Sequence, residues 1–194
     1  MIDRTPLAKL YLEENKSAAE IAKIFLCSPN KINYWLGKHK IPKRTISEAI
    51  YTKHNPQGDP FVFTPPNNTP ETQLFGLGIG LYWGEGTKAN KNSVRLGNTD
   101  PELLDTFIRF LITFFHIQKE DLRFGLQIFS DIDPQCALDF WMKKLKIKRQ
   151  QINKPIITFS GSLGTYRKKS IYGVLTVMYH NKRLRDLLVS MLPM

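Results

Sequence analysis

The sequence predicts an α+β protein in two parts: three short helices, then a proline-rich stretch, then a larger domain of helices packed on a β-sheet. Three observations lead there. Cap-and-proline starts at Thr5-Pro6 and Ser28-Pro29 bracket a capping-box spacing at Ser17–Glu20, each followed by apolar residues at helical intervals. Five of the twelve prolines lie between Thr45 and Gln73. Further on, helical patterns alternate with β-branched and aromatic runs.

The N-terminal element is expected over residues 1–45. Leu7, Leu10 and Tyr11 share one face of the first helix, and Ile21, Ala22, Ile24 and Phe25 give the second its buried side. Ile32 and Leu36, four apart, form the inner face of the third, which Gly37 stops. Three short helices with connections this tight suit a helix-turn-helix, whose last helix enters the major groove. Its candidate DNA contacts are Ser28, Asn30, Lys31, Asn33, Tyr34 and Lys38, followed by Lys43 and Arg44. Amides pair with adenine, and lysines reach guanine acceptors or phosphates. The alternative is a three-helix unit that docks on a protein. The run Ser17-Ala-Ala-Glu20-Ile21-Ala22, with Ser28 through Leu36, resembles the helix-turn-helix of site-specific recombinases and small regulators.

Composition narrows the partner. A chain of 194 residues, 42% hydrophobic and 23% charged, is globular rather than disordered or fibrous. Its longest apolar run, residues 74–84, falls well short of the roughly 20 residues needed to cross a bilayer. Asp3 and Arg4 lead at once into an amphipathic pattern, which is not that of a signal peptide. Cys27 and Cys136 sit in apolar contexts and read as buried thiols rather than a disulfide. The expectation is a soluble, cytoplasmic protein without a membrane partner. The net charge is +11, and from Lys143 onward there are twelve basic residues against one acid, Asp186. A polyanion is the natural partner for such asymmetry, and nucleic acid is the commonest.

Prolines 56, 60, 65, 66 and 70 block regular helix and mark residues 46–72 as an extended linker, although Asp59–Phe63 has the composition to dock on a domain surface. The second domain, residues 73–194, opens with Leu74-Phe-Gly-Leu-Gly-Ile-Gly-Leu-Tyr-Trp-Gly-Glu-Gly86, which holds five of the twelve glycines. As a dinucleotide loop it misses the required spacing and lacks a preceding strand. As a helix, it places Gly76, Gly80 and Gly84 on one stripe. Each interior glycine costs about 1 kcal/mol against alanine, which close approach of a second helix offsets. Close packing inside one domain is the alternative. Glu85 falls at the C-terminal end of this helix, where the macrodipole disfavours an anion, and so calls for a cation.

Ile79-Gly-Leu-Tyr-Trp-Gly-Glu-Gly86 resembles the LAGLIDADG motif of homing endonucleases, and the likeness extends over roughly residues 74–194. It implies an αββαββα unit, a pair of such helices packed face to face, and Glu85 as the catalytic, metal-binding acid that holds Mg²⁺ over the scissile phosphates. The motif's first acid is replaced by Trp83. Lys88 and Lys91 follow close behind. With one motif per chain, the two-acid site implies a homodimer through Gly76, Gly80 and Gly84, and a near-palindromic double-stranded DNA target.

The remaining elements follow in order. Residues 93–99 read as a strand, Asp100-Pro101 starts a helix, and residues 122–129 alternate as a half-buried strand. Asp133-Pro134 opens a further helix, residues 155–160 and 172–179 read as strands joined by a loop, and residues 181–192 close as a helix. That loop places Arg167, Lys168 and Lys169 at a hairpin end, a second candidate DNA contact. The four histidines show no ligand spacing for zinc. The functional expectation is a homodimeric, Mg²⁺-dependent DNA endonuclease. The alternatives are a non-cleaving transcription regulator on the same fold, RNA binding, or a protein-interaction module.

Overall fold

The computed structural model describes residues 1–160 and 170–193. The chain is α+β and forms two compact units, Met1–Pro60 and Phe61–Met194. Among the described residues, no helix is long and apolar enough to cross a membrane.

In the first unit, helix α1 (Arg4–Ala8) continues as a π-helical turn over Lys9–Glu13, and α2 (Ala18–Ile24) and α3 (Pro29–Lys38) follow. The Ser17 hydroxyl accepts from the Glu20 amide at 3.2 Å, and the Glu20 carboxylate accepts from the Ser17 amide at 2.8 Å. This closed capping box contributes about 1 kcal/mol and fixes where α2 begins. Bonds from Ser17 also hold the Glu20 carboxyl below its usual pKa. Leu7, Tyr11, Ile21, Ile32, Leu36 and Ile41 interlock as a small core, with Trp35 packed against them.

Residues 46–72 are not uniformly extended. Thr45 and Glu48 form a second capping box and open α4 (Ile46–His54), which carries no buried residue. The first proline of the cluster is Pro56, just past the C-cap Asn55, so no proline lies within α4. Downstream, Val62 and Thr64 donate their amides to the Phe115 and Phe114 carbonyls, and the Phe63 ring stacks on Phe115 at 5.4 Å. The second unit therefore begins at Phe61, ahead of the glycine-rich helix.

That unit contains α5 (Thr69–Glu85), β1 (Val94–Asn98), α6 (Pro101–Phe115), β2 (Arg123–Phe129), α7 (Pro134–Leu145), β3 (Ile156–Thr158), β4 (Val174–Tyr179) and α8 (Lys182–Ser190). The strand order is β1-β4-β2-β3. Strand β4 pairs antiparallel with β1 and β2, whereas β3 pairs parallel with β2. Strands β3 and β4 thus flank β2, which corrects the expectation of a hairpin. A parallel neighbour needs a crossover connection, commonly a helix, and α7 supplies it between β2 and β3. Residues 161–169, including Arg167, Lys168 and Lys169, lie outside the described residues. Period-two burial puts Val94, Leu96, Phe124, Leu126, Ile128, Leu175 and Val177 on one face, in a single core with side chains from all four helices of the unit.

Among the helix contacts, α5 on α6 is the closest. A Cβ at Gly78 would stand 2.1 Å from Cγ of Phe110, and the Tyr82 ring stacks on Phe107 at 6.1 Å. Gly78→Ala forces the two helices apart. Overpacking of 1–3 kcal/mol outweighs the gain of about 1 kcal/mol in helix propensity, and with a clash this deep the expected net loss is about 2 kcal/mol. At Gly76 nothing lies within 4 Å, so Gly76→Ala keeps the propensity gain. Thermal melts of the two variants at monomeric concentrations should move in opposite directions, Gly78→Ala down by about 4–8 °C; equal melting temperatures would contradict this packing.

Candidate nucleic-acid interface

In the first unit, α3 buries Ile32 and Leu36 and turns Asn30, Lys31, Asn33, Tyr34 and Lys38 outward. Tyr34 is 62% exposed, a large aromatic in solvent preceded in sequence by the amides of Asn30 and Asn33. The Lys38 ammonium sits 4.8 Å from the Trp35 ring centroid, and the Lys43 ammonium comes to 3.8 Å from where a Cβ would stand on Gly37. Two cations therefore gather at the C-terminal end of α3. Ser28 serves as its N-cap, its hydroxyl accepting from the Lys31 amide at 3.3 Å.

Arg44 has another occupation. Its guanidinium lies 4.4 Å over the Tyr11 ring and donates to the carbonyls of Tyr11, Asn15 and Lys16 and to Oδ1 of Asn15. It closes the carbonyl end of the first helix, so using it on a phosphate would cost those bonds. Sequence alone could not show this, because the partners lie about thirty residues away.

In the second unit, α5 sorts its glycines by face. Gly78 is buried against Phe110, whereas at Gly76, Gly80 and Gly84 no neighbouring atom lies within 4 Å of a Cβ position. Leu77 and Trp83, 58% and 53% exposed, stand on the same solvent side. The helix is thus apolar nearly all round, with one side covered by its own chain and the other open. A helix apolar on every side is ordinarily buried on every side.

Glu85 is the last residue of α5 and is exposed. Gly86 then pairs with Leu96 of β1, and the Thr87 amide donates to the Arg95 carbonyl at 2.9 Å, so the chain passes directly from helix into sheet edge. A Cβ at Gly86 would lie 2.4 Å from the Tyr82 ring, which is why this junction carries glycine. The Lys88 ammonium donates to the carbonyls of Tyr82 and Trp83, at 3.4 and 2.5 Å. Part of the positive charge that the helix end calls for is therefore lysine. Arg185 of α8 donates to the Lys88 and Asn90 carbonyls and holds the turn beyond it. Among the described residues, no cluster of three or more His, Cys, Asp or Glu could hold a metal ion.

The face of the sheet turned away from the core adds residues that motif reading passed over. In register across three strands it presents Arg95, Met178 and Arg123, then Gly97, Thr176 and Gly125, with Gln127 beyond. The two glycines leave a shallow trough with Thr176 at its floor, bordered by a row with an arginine at each end. Arg95 donates from Nε to the Ser93 hydroxyl at 2.8 Å, and Arg123 to the Glu120 and Leu122 carbonyls, which leaves further donors on both guanidiniums. His180 follows β4; partial burial and then the fields of Arg95 and Arg123 push its pKa below the usual imidazole value. The period-two pattern of Arg123 and Gln127 was the available signal. The cysteine expectation needs correction: Cys136 is exposed and Cys27 half-buried, and both are free thiols. Cys136 lies in the first turn of α7, whose inward face is formed by Ala137, Leu138, Trp141 and Leu145.

Comparison of the chain with family models, curated proteins and solved structures gave no match.

Proposed function

We propose that this chain is a sequence-specific double-stranded DNA-binding protein that acts as a homodimer and hydrolyses phosphodiester bonds on a LAGLIDADG-type scaffold, with a helix-turn-helix adding target affinity. The observation that carries the reading is the open face of α5, a glycine stripe ending in an exposed carboxylate. Two copies joined along Gly76, Gly80 and Gly84 would bring two Glu85 side chains to one end of the interface. The element order supports the scaffold: α5, a vestigial strand at Gly86–Thr87, β1, α6, β2, the α7–β3 insertion, β4 and α8.

A carboxylate oxygen from each copy suits Mg²⁺, which is commonly held by one or two carboxylates together with substrate phosphates. The ion would supply activation of water and stabilisation of the leaving oxygen. Glu85 would hold it, while Arg95, Arg123 and Gln127 on the sheet and Asn30, Asn33, Tyr34 and Lys38 on α3 bind DNA.

One observation favours the second reading, a transcription regulator that does not cut. Each chain offers a single acid, and Lys88 already tempers the helix end beside it. Selection of bound fragments from a randomised duplex library tests what the two readings share. Enrichment of an inverted repeat is expected; recovery of unselected sequence would contradict both.

A further inference from the structure

The connection from the end of α7 to β3 is a further charged surface of the second unit, distinct from the α5 face and the open sheet. It carries Lys143, Lys144, Lys146, Lys148, Arg149 and Lys154 within twelve residues, with no acid among them. All six are exposed, and none is ion-paired with another described residue. The nearest acid in sequence, Asp139, lies one turn before Lys143 on α7 and accepts from the Gln135 side chain at 2.9 Å.

Two features set this surface apart from an ordinary solvated charge run. Lysines near a helix C-terminus commonly complement the macrodipole, yet here Lys119 does so, donating to the Leu145 carbonyl at 2.7 Å. None of the six makes that bond, although Lys143 and Lys144 share the last turn of α7 and add to the same complementation. The connection is also pinned. Buried Gln151 donates to the Lys119 and Leu122 carbonyls at 2.7 and 3.3 Å, and Arg149 donates to the Ile152 carbonyl. Ile152 bridges to Phe124, and the Asn153 amide donates to the Phe124 carbonyl at 2.8 Å. The charges are therefore mounted on the β3 edge of the sheet, next to the strand that bears Arg123.

Resting on the DNA-binding reading above, we infer that this edge is a phosphate-binding flank. It grips the backbone of duplex DNA beyond the base pairs that lie under the sheet. Like charges held this close repel one another in the free protein, and neutralisation by phosphates relieves that repulsion and releases condensed counterions. Placed against the backbone rather than the base edges, the flank contributes affinity and register rather than sequence choice.

The test compares the full chain with a Lys143→Gln, Lys144→Gln, Lys146→Gln, Lys148→Gln variant on two duplexes of random sequence. One is only long enough to lie under the sheet; the other is longer by several base pairs at each end. Binding is measured across a salt series. For wild type, the longer duplex should bind more tightly and with the steeper salt dependence. In the variant the log–log slope on the longer duplex should fall by about 2 or more, at roughly 0.9 for each phosphate no longer neutralised, and affinity by about tenfold. Binding to the short duplex should stay nearly unchanged. If wild type binds DNA and the variant shows the same slope and length dependence, the flank is overturned and DNA binding stands. If wild type binds no duplex, while anionic vesicles or RNA capture it through these lysines, both proposals are overturned.

Discussion

Gly80→Leu should leave the protomer folded and abolish the dimer. In the protomer, nothing lies within 4 Å of a Cβ at this position, and leucine is the better helix former, so the melting temperature at concentrations where both proteins are monomeric should hold or rise. In a dimer built on the glycine stripe, the side chain would stand between two helix backbones. Because a two-fold axis repeats the insertion, overpacking of 1–3 kcal/mol per site becomes about 2–6 kcal/mol of association energy, at least about 30-fold in dissociation constant. Sedimentation equilibrium, with and without duplex DNA, reads the change. A Gly80→Leu protein that remains a dimer would place the interface elsewhere. The same substitution at Gly78 is no control for this effect, since it strikes Phe110 within the protomer.

Glu85→Gln should separate binding from cleavage. The substitution keeps the shape of the side chain and removes its charge. Because Glu85 is exposed at the helix end and the Lys88 bonds run to backbone carbonyls, folding should not depend on it. Affinity for DNA in the absence of divalent ions should hold or improve, because two carboxylates facing phosphates repel them. Cleavage in Mg²⁺ should fall by at least about 10²–10³-fold, the scale on which removing one principal charge-stabilising group acts. Single-turnover cleavage of a selected site gives the rate, and a competition titration in chelator gives the affinity. Unchanged cleavage would remove Glu85 from the chemistry.

Elements fixed by their own caps were legible in the sequence. Ser17 with Glu20, Ser28-Pro29, Asp100-Pro101 and Asp133-Pro134 each start a helix where the residues say so, since a cap is a contact over two or three positions. The box at Thr45 and Glu48 was equally local, but the prolines that follow it drew the reading toward an extended chain. Strand partners were another matter. The alternation at residues 123–129 specifies which side chains face the core, but not that β3 joins one edge of β2 and β4 the other. Pairing is set by the path of α7, a non-local property.

The same division runs through the candidate site. Glycine spacing placed Gly76, Gly80 and Gly84 on one stripe, and Gly78 was legible as lying off it. Phe110, the partner that makes Gly78 necessary, sits thirty-two residues further on. Arg44 was read from charge and position as a phosphate contact; its bonds to Asn15 and Lys16 exist only once α1 and α3 have packed. Arg95 was visible as a polar residue between Val94 and Leu96, but its place at the end of a row with Arg123 depends on β4 lying between them.

The most direct test of the account is to incubate wild type and Glu85→Gln with a randomised duplex library in Mg²⁺ and to sequence the cut ends. Cleavage at a near-palindromic site by wild type, absent from the variant although it binds the same site, is the predicted result. Specific binding by both proteins with no cut ends, in Mg²⁺ or Mn²⁺, would contradict the nuclease and leave a DNA-binding regulator.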